Sequence, residues 1–162
     1  MSLAFSTNRM EAGARRGVEV GARLSQRPWG LDVLLVEDDA ADTNLILKVL
    51  EHHPGVFSAH ASDAPDLLLR QLAVGQVRAD LVLLDIHMPR MDGFKFLRGM
   101  RQIRALAKTP VVFLTTSWLA RDASDVTHSS AALYMIKPDS YEDLETCLDG
   151  VLRRAQSGLW ST

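Results

Sequence analysis

Residues 31–157 alternate short, mostly apolar runs with longer segments of helical periodicity, and four of the five runs stop at a side chain able to do chemistry. The strong runs are LDVLLV (31–36), LVLL (81–84), VVFL (111–114) and LYMI (133–136), with a weaker one at 56–61. Runs this short read as strands rather than helices. Strands with no polar alternation must be covered on both faces, which implies a parallel sheet between two helical layers.

The intervening segments supply the helices. One covers 41–50, with Ala41, Leu45, Val49 and Leu50 facing inward, and His53-Pro54-Gly55 breaks it. Ser62 is expected to cap a second helix carrying Leu67, Leu68 and Leu72. A third, at 94–107, buries Leu97, Met100 and Ile103, and a weakly patterned fourth covers 118–129. The last, at 141–155, buries Leu144, Leu148, Val151 and Leu152. Cys147 falls near that inner face and is expected to be packed and inert. Right-handed crossovers leave few topologies. The expected fold is α/β, a flavodoxin-like doubly wound (βα)5 with a five-stranded parallel sheet in the order 2-1-3-4-5. Its ligand crevice lies at the carboxyl ends of strands one and three.

A chain of 162 residues is the size of one domain. With 47% hydrophobic residues it can bury a core, and no run reaches the 18–20 apolar residues of a membrane span. Cys147 is the only cysteine, so an internal disulfide and a multi-cysteine zinc site are excluded and a reducing, cytoplasmic setting fits best. Residues 1–30 hold five arginines against two glutamates, whereas the remainder is acidic, giving a net charge of −2 overall. That balance argues against binding nucleic acid through overall charge. The arm at 1–30 is expected to be a flexible tail, because Gly13, Gly17 and Gly21 weaken any helix there. The body is expected at 31–157, with a tail at 158–162.

The assumed sheet order brings the strand ends together. Strand one ends in Glu37, Asp38 and Asp39, strand three in Asp85, strand four in Thr115 and strand five in Lys137. Clustered carboxylates repel one another unless a cation sits among them. Oxygen ligands without His or Cys favour a hard ion such as Mg²⁺. Lys137 and Thr115 add an ammonium and a hydroxyl for an anionic ligand. Acids and metal on one side, with Lys and Thr on the other, describe phosphoryl transfer to a carboxylate. Asp39 taken alone reads as a helix N-cap.

The segments LLVEDD (34–39), DLVLLDIHMPRMDG (80–93), PVVFLTTS (110–117) and LYMIKP (133–138) resemble a response-regulator receiver domain over about residues 31–157. The MPxMDG loop and LTTS ending further resemble small regulators paired with phytochrome-type histidine kinases. The resemblance implies that Asp85 is the phosphoacceptor, taking a phosphoryl group from a phosphohistidine. It implies Mg²⁺ on Glu37, Asp38, Asp85 and the His87 backbone carbonyl, with Thr115 and Lys137 holding phosphoryl oxygens. Tyr134 matches the aromatic that turns inward when Thr115 moves. Lys137-Pro138 would carry a cis peptide. The side chain of His87 is expected to lean over the entrance and modulate phosphate lifetime, without doing chemistry.

Implied partners are a sensor histidine kinase or phosphotransfer protein, a downstream protein target, and a second copy through the 118–129 helix, the fifth strand and the last helix. Direct contact with nucleic acid or membrane is not expected, nor is enzyme activity beyond self-phosphorylation and self-dephosphorylation. No output domain is expected after Arg153-Arg154. Ser130 stands where the family commonly has Gly, and Ser117 where an acid or amide is frequent; both bear on rates rather than on the site. Arg98, Arg101, Arg104 and Lys108 form a basic stripe expected to be a solvated face. Trp118 is either an interface anchor or a packing residue. A pseudo-receiver scaffold would have lost an acid, the Thr or the Lys, and none is missing. A haloacid dehalogenase-type hydrolase would carry its nucleophilic Asp first, with a second Asp two residues later, where His87 stands here.

Overall fold

The computed structural model describes residues 30–116, 132–158 and 160. The expected helix at 118–129, with Ser117, Trp118, Ser129 and Ser130, lies outside these residues, as do residues 1–29.

Five strands form one parallel sheet in the order β2-β1-β3-β4-β5. They are β1 (Leu31–Val36), β2 (Val56–Ser62), β3 (Leu81–Asp85), β4 (Val111–Thr115) and β5 (Ala132–Ile136). Between them run α1 (Ala40–His52), α2 (Pro65–Ala73) and α3 (Gly93–Gln102), and α4 (Tyr141–Gln156) follows β5. The flavodoxin-like order expected from the sequence, one of the few that right-handed crossovers leave, is thus the one observed.

Why β1, β3 and β4 are so largely apolar is visible in the two cores. Val33, Leu35, Leu83 and Leu114 face α1 and α4, while Leu34, Val36, Leu84 and Phe113 face α2 and α3. Every residue of β1, β3 and β4 is buried, so both side-chain directions of the pleat meet helices.

The helices depart from expectation where apolar residues are contiguous. In α1 the buried set is Ile46, Val49 and Leu50, while Ala41 is exposed and Leu45 is 37% exposed. The run Leu45-Ile46-Leu47 leaves the helical phase open, and Ile46 wins. In α2, Leu67-Leu68-Leu69 poses the same ambiguity, and Leu67 is exposed. Ser62 does not cap α2: its Oγ accepts from Ala64 N at 3.2 Å, and the helix begins at Pro65, whose fixed φ suits a first turn. Helix α3 ends at Gln102, and Arg104–Leu106 form a separate 3₁₀ turn. Arg101 is not on a solvated face. It folds back and donates from one nitrogen to Leu106 O (2.9 Å) and Thr109 O (2.8 Å), tying that turn to the approach to β4. Cys147 is exposed. The buried stripe of α4 runs through Leu144, Leu148, Leu152 and Ala155, and Cys147 lies roughly a quarter turn from its centre.

Candidate functional site

Strand register assembles the site. Val36 pairs with Leu84, Asp85 with Leu114, and Thr115 with Ile136. The next residue after β1 is Glu37 and the next after β5 is Lys137, so all four strand ends meet at one edge of the sheet. Asp39 then starts α1: its Oδ1 accepts from Ala41 N (2.8 Å) and Asp42 N (2.9 Å). Across the site, Asp92 caps α3 by accepting from Lys95 N at 2.7 Å. Gly93 packs so close to the Asp85 carbonyl that any Cβ there would collide with it. The helix start therefore fixes the backbone that presents Asp85.

Glu37, Asp85 and Thr115 are buried, whereas Asp38 is exposed. Carboxylate oxygens of Glu37, Asp38 and Asp85 all lie within 4.8 Å of one another. Such an oxygen-only donor set, with two members sunk in the sheet edge and one open to solvent, fits a hard divalent cation that keeps some waters. Lys137 reaches into the same acids. Its Nζ lies 2.7 Å from Glu37 Oε2, 2.7 Å from Asp42 Oδ2 and 2.9 Å from Asp85 Oδ1. The other Asp85 oxygen accepts from His87 N at 2.7 Å, and the His87 residue itself is exposed. Asp39 N donates to Glu37 Oε1 at 3.1 Å.

These contacts set the protonation states. Burial pushes the Glu37 carboxyl above its usual range, against the opposing pull of Lys137. Burial by itself would lower the Lys137 ammonium, but hydrogen bonds to Asp42, Glu37 and Asp85 outweigh it and raise the pKa well above normal, so Lys137 stays charged. Asp42 was not singled out in the sequence. Its signal is its place in the first turn of α1, four residues after Asp38, which brings it back to the strand ends.

Thr115 closes β4, and its carbonyl accepts from Lys137 N at 2.8 Å. The Lys137–Pro138 bond is trans, contrary to the expected cis form; trans is the favoured state of an X–Pro bond by about 0.5–1 kcal/mol. Tyr134 pairs with Phe113 across β4 and β5. Its ring stacks on that of Phe113, with centroids 5.2 Å apart, and Phe113 in turn meets Phe94 at 4.9 Å. The Tyr134 ring is half-buried, but its hydroxyl is enclosed with no hydrogen-bond partner among the described residues. Burial moves its pKa up to about 12. The neutral phenol is therefore favoured by the fold, and that contribution is kept below pH 10 and lost as pH rises through about 12. Tyr134→Phe removes an unsatisfied polar group and should raise the unfolding free energy by about 1 kcal/mol in urea denaturation. A loss of that size instead would mean that the hydroxyl has a partner.

Comparison with known proteins agrees with this architecture. Residues 33–149 match the family model described as response regulator receiver domain. The transcriptional regulatory protein TrcR of Mycobacterium tuberculosis is 37% identical over 123 residues, which are 76% of this chain and 46% of TrcR. RpaA of Synechocystis, a DNA-binding regulator, is 29% identical over 75% of this chain and 49% of its own length. The chain thus spans about half the length of these relatives. Among solved structures, the phosphorylated cyanobacterial phytochrome response regulator RcpA superposes with a TM-score of 0.68 at 26% identity, over 80% of this chain and 96% of RcpA. The Mn²⁺-bound response regulator Rcp1 gives 0.62 at 28% identity, over 75% and 91% respectively. With a family model covering most of its length and the expected strand order in its sheet, the chain belongs to the response-regulator receiver domain family.

Proposed function

We propose that this receiver takes a phosphoryl group onto Asp85 from a phosphohistidine of a sensor histidine kinase or phosphotransfer protein, and that phosphorylation changes which protein it binds. The observation that carries this reading is the convergence of Asp85, Glu37, Asp38 and Lys137 at one sheet edge. An Asp85 carboxylate oxygen attacks phosphorus. The new O–P bond forms as the P–N bond breaks, and its electron pair returns to the imidazole nitrogen. Glu37, Asp38, Asp85 and the His87 carbonyl would hold Mg²⁺, whose charge offsets that of the carboxylates and the phosphoryl oxygens. Lys137 donates to one phosphoryl oxygen and the Thr115 hydroxyl to another.

The added group carries about −1.5 to −2 charges. Drawing Thr115 toward it alters the room beside β4, where the Tyr134 ring lies against Phe113. A preference of about 1.4 kcal/mol between two arrangements changes their ratio tenfold, enough to alter binding on the β5 and α4 side. The partner there is a downstream protein or a second copy of this chain.

The test is uptake from phosphoramidate, followed by intact mass. One phosphoryl group is expected with Mg²⁺ and none with excess chelator. Asp38→Ala should weaken Mg²⁺ binding at least tenfold by calorimetry, because it removes the solvent-facing carboxylate of the cluster. Equal uptake in chelator, or an unchanged titration, would contradict the metal assignment.

A further inference from the structure

The Lys137 ammonium has three N–H bonds, and three carboxylates accept them. Glu37 and Asp85 belong to the cluster with Asp38 that could hold a cation, and Asp42 does not. Asp42 also differs in exposure. Its side chain is 39% exposed, against 1% for Glu37 and 8% for Asp85. Its backbone is fixed in the first turn of α1 by the Asp39 cap.

We propose that Asp42 is a positioning residue that holds Lys137 away from an incoming phosphoryl group and so slows the gain of phosphate by Asp85. This rests on Asp85 being the phosphoacceptor. A phosphoryl group arriving there needs an N–H bond of Lys137, and all three are committed. One acceptor must let go. Glu37 and Asp85 cannot return to water without opening the sheet edge, whereas the half-exposed Asp42 carboxylate is rehydrated at least cost. Until it releases, Asp42 also adds a negative charge in front of an anionic donor. Both effects act in the same direction.

The experiment compares phosphate uptake from phosphoramidate by the full chain and its Asp42→Asn variant. In that reaction the P–N bond breaks and ammonia leaves as the carboxylate O–P bond forms. Saturating Mg²⁺ removes any difference in metal affinity. The Asn variant should load about two- to fivefold faster, which is about 0.4–1 kcal/mol, the range of a half-exposed ion pair. Asp42→Glu keeps a carboxylate and should load at close to the parental rate. In metal-free protein, the Lys137 ammonium resonance in a ¹⁵N spectrum should exchange faster with water in the Asn variant, a change that a purely structural role for Asp42 would not produce. Equal or slower loading by the Asn variant overturns the proposal, and so does an unchanged ammonium resonance. A parent protein that takes no phosphate overturns the proposed function together with this inference. Normal loading that is indifferent to Asp42→Asn overturns this inference alone.

Discussion

Asp85→Asn takes up no phosphoryl group under conditions that load the parent protein. The amide has no anionic oxygen to attack phosphorus, and Glu37, which shares the pattern of Lys137 on one oxygen and a backbone N–H on the other, is almost fully buried. The variant should still fold. It loses one negative charge from a crowded acidic cluster, which offsets the less suitable partner it offers Lys137 and His87 N. Loading should fall at least 100-fold by intact mass, with the far-ultraviolet circular dichroism unchanged. Uptake at the parental rate would move the acceptor elsewhere, and Asp38 would be the next candidate.

Lys137→Met has the second largest effect, and it acts on stability. Lys137 is the only cation that the described structure places among Glu37, Asp42 and Asp85. Removing one member of a buried pair leaves the other charge desolvated, which typically costs about 3 kcal/mol or more. Glu37, already raised by burial, rises further without its ammonium. A carboxyl whose folded pKa lies above its unfolded value stabilises the fold below the unfolded value, and that contribution is lost as pH climbs through the folded one. The variant should therefore lose about 3 kcal/mol in metal-free urea denaturation at pH 7, and less near pH 5. Added Mg²⁺ should recover part of the loss by placing a cation among the same oxygens. A loss that is independent of both pH and Mg²⁺ would mean that Lys137 matters for packing rather than for charge.

Both predictions concern residues visible in the sequence, and the reason is geometric. In a parallel sheet covered on both faces, polar residues are expelled to strand ends, so Glu37, Asp85, Thr115 and Lys137 stand out against LDVLLV, LVLL, VVFL and LYMI. Crossover handedness leaves few sheet orders, the flavodoxin-like one among them, and that order and the register together make those ends neighbours. Helical residues were harder to place. Periodicity identifies a helix, but in Leu45-Ile46-Leu47 and Leu67-Leu68-Leu69 it does not say which member faces in. Cys147 shows the same limit at the edge of a stripe, where a quarter turn separates a packed side chain from an exposed one. Asp42 escaped notice because an acid in the first turn of a helix usually serves the helix dipole. Only the path of Lys137 across the sheet edge shows that it belongs to the site.

The basic residues from Arg98 to Lys108, which span the end of α3 and the 3₁₀ turn after it, show how tertiary contacts redirect a charged side chain. Arg98, Arg101, Arg104 and Lys108 look alike in the sequence, yet the Arg101 guanidinium is turned inward to two backbone carbonyls. One of those carbonyls, Leu106 O, ends the 3₁₀ turn and also accepts from Thr109 N at 3.1 Å; the other, Thr109 O, lies just before β4, so one guanidinium nitrogen bridges the two. That contact fixes the start of β4, and Thr115 at its end inherits the register.

The most direct measurement locates the phosphate. The protein is loaded from phosphoramidate with Mg²⁺, reduced with borohydride, which converts an aspartyl phosphate to homoserine, and digested for peptide mass mapping. Homoserine is expected at position 85 and nowhere else, and it should be absent when chelator is present during loading. Homoserine at position 38, or a phosphate that survives reduction on a hydroxyl side chain, would contradict the assignment of Asp85.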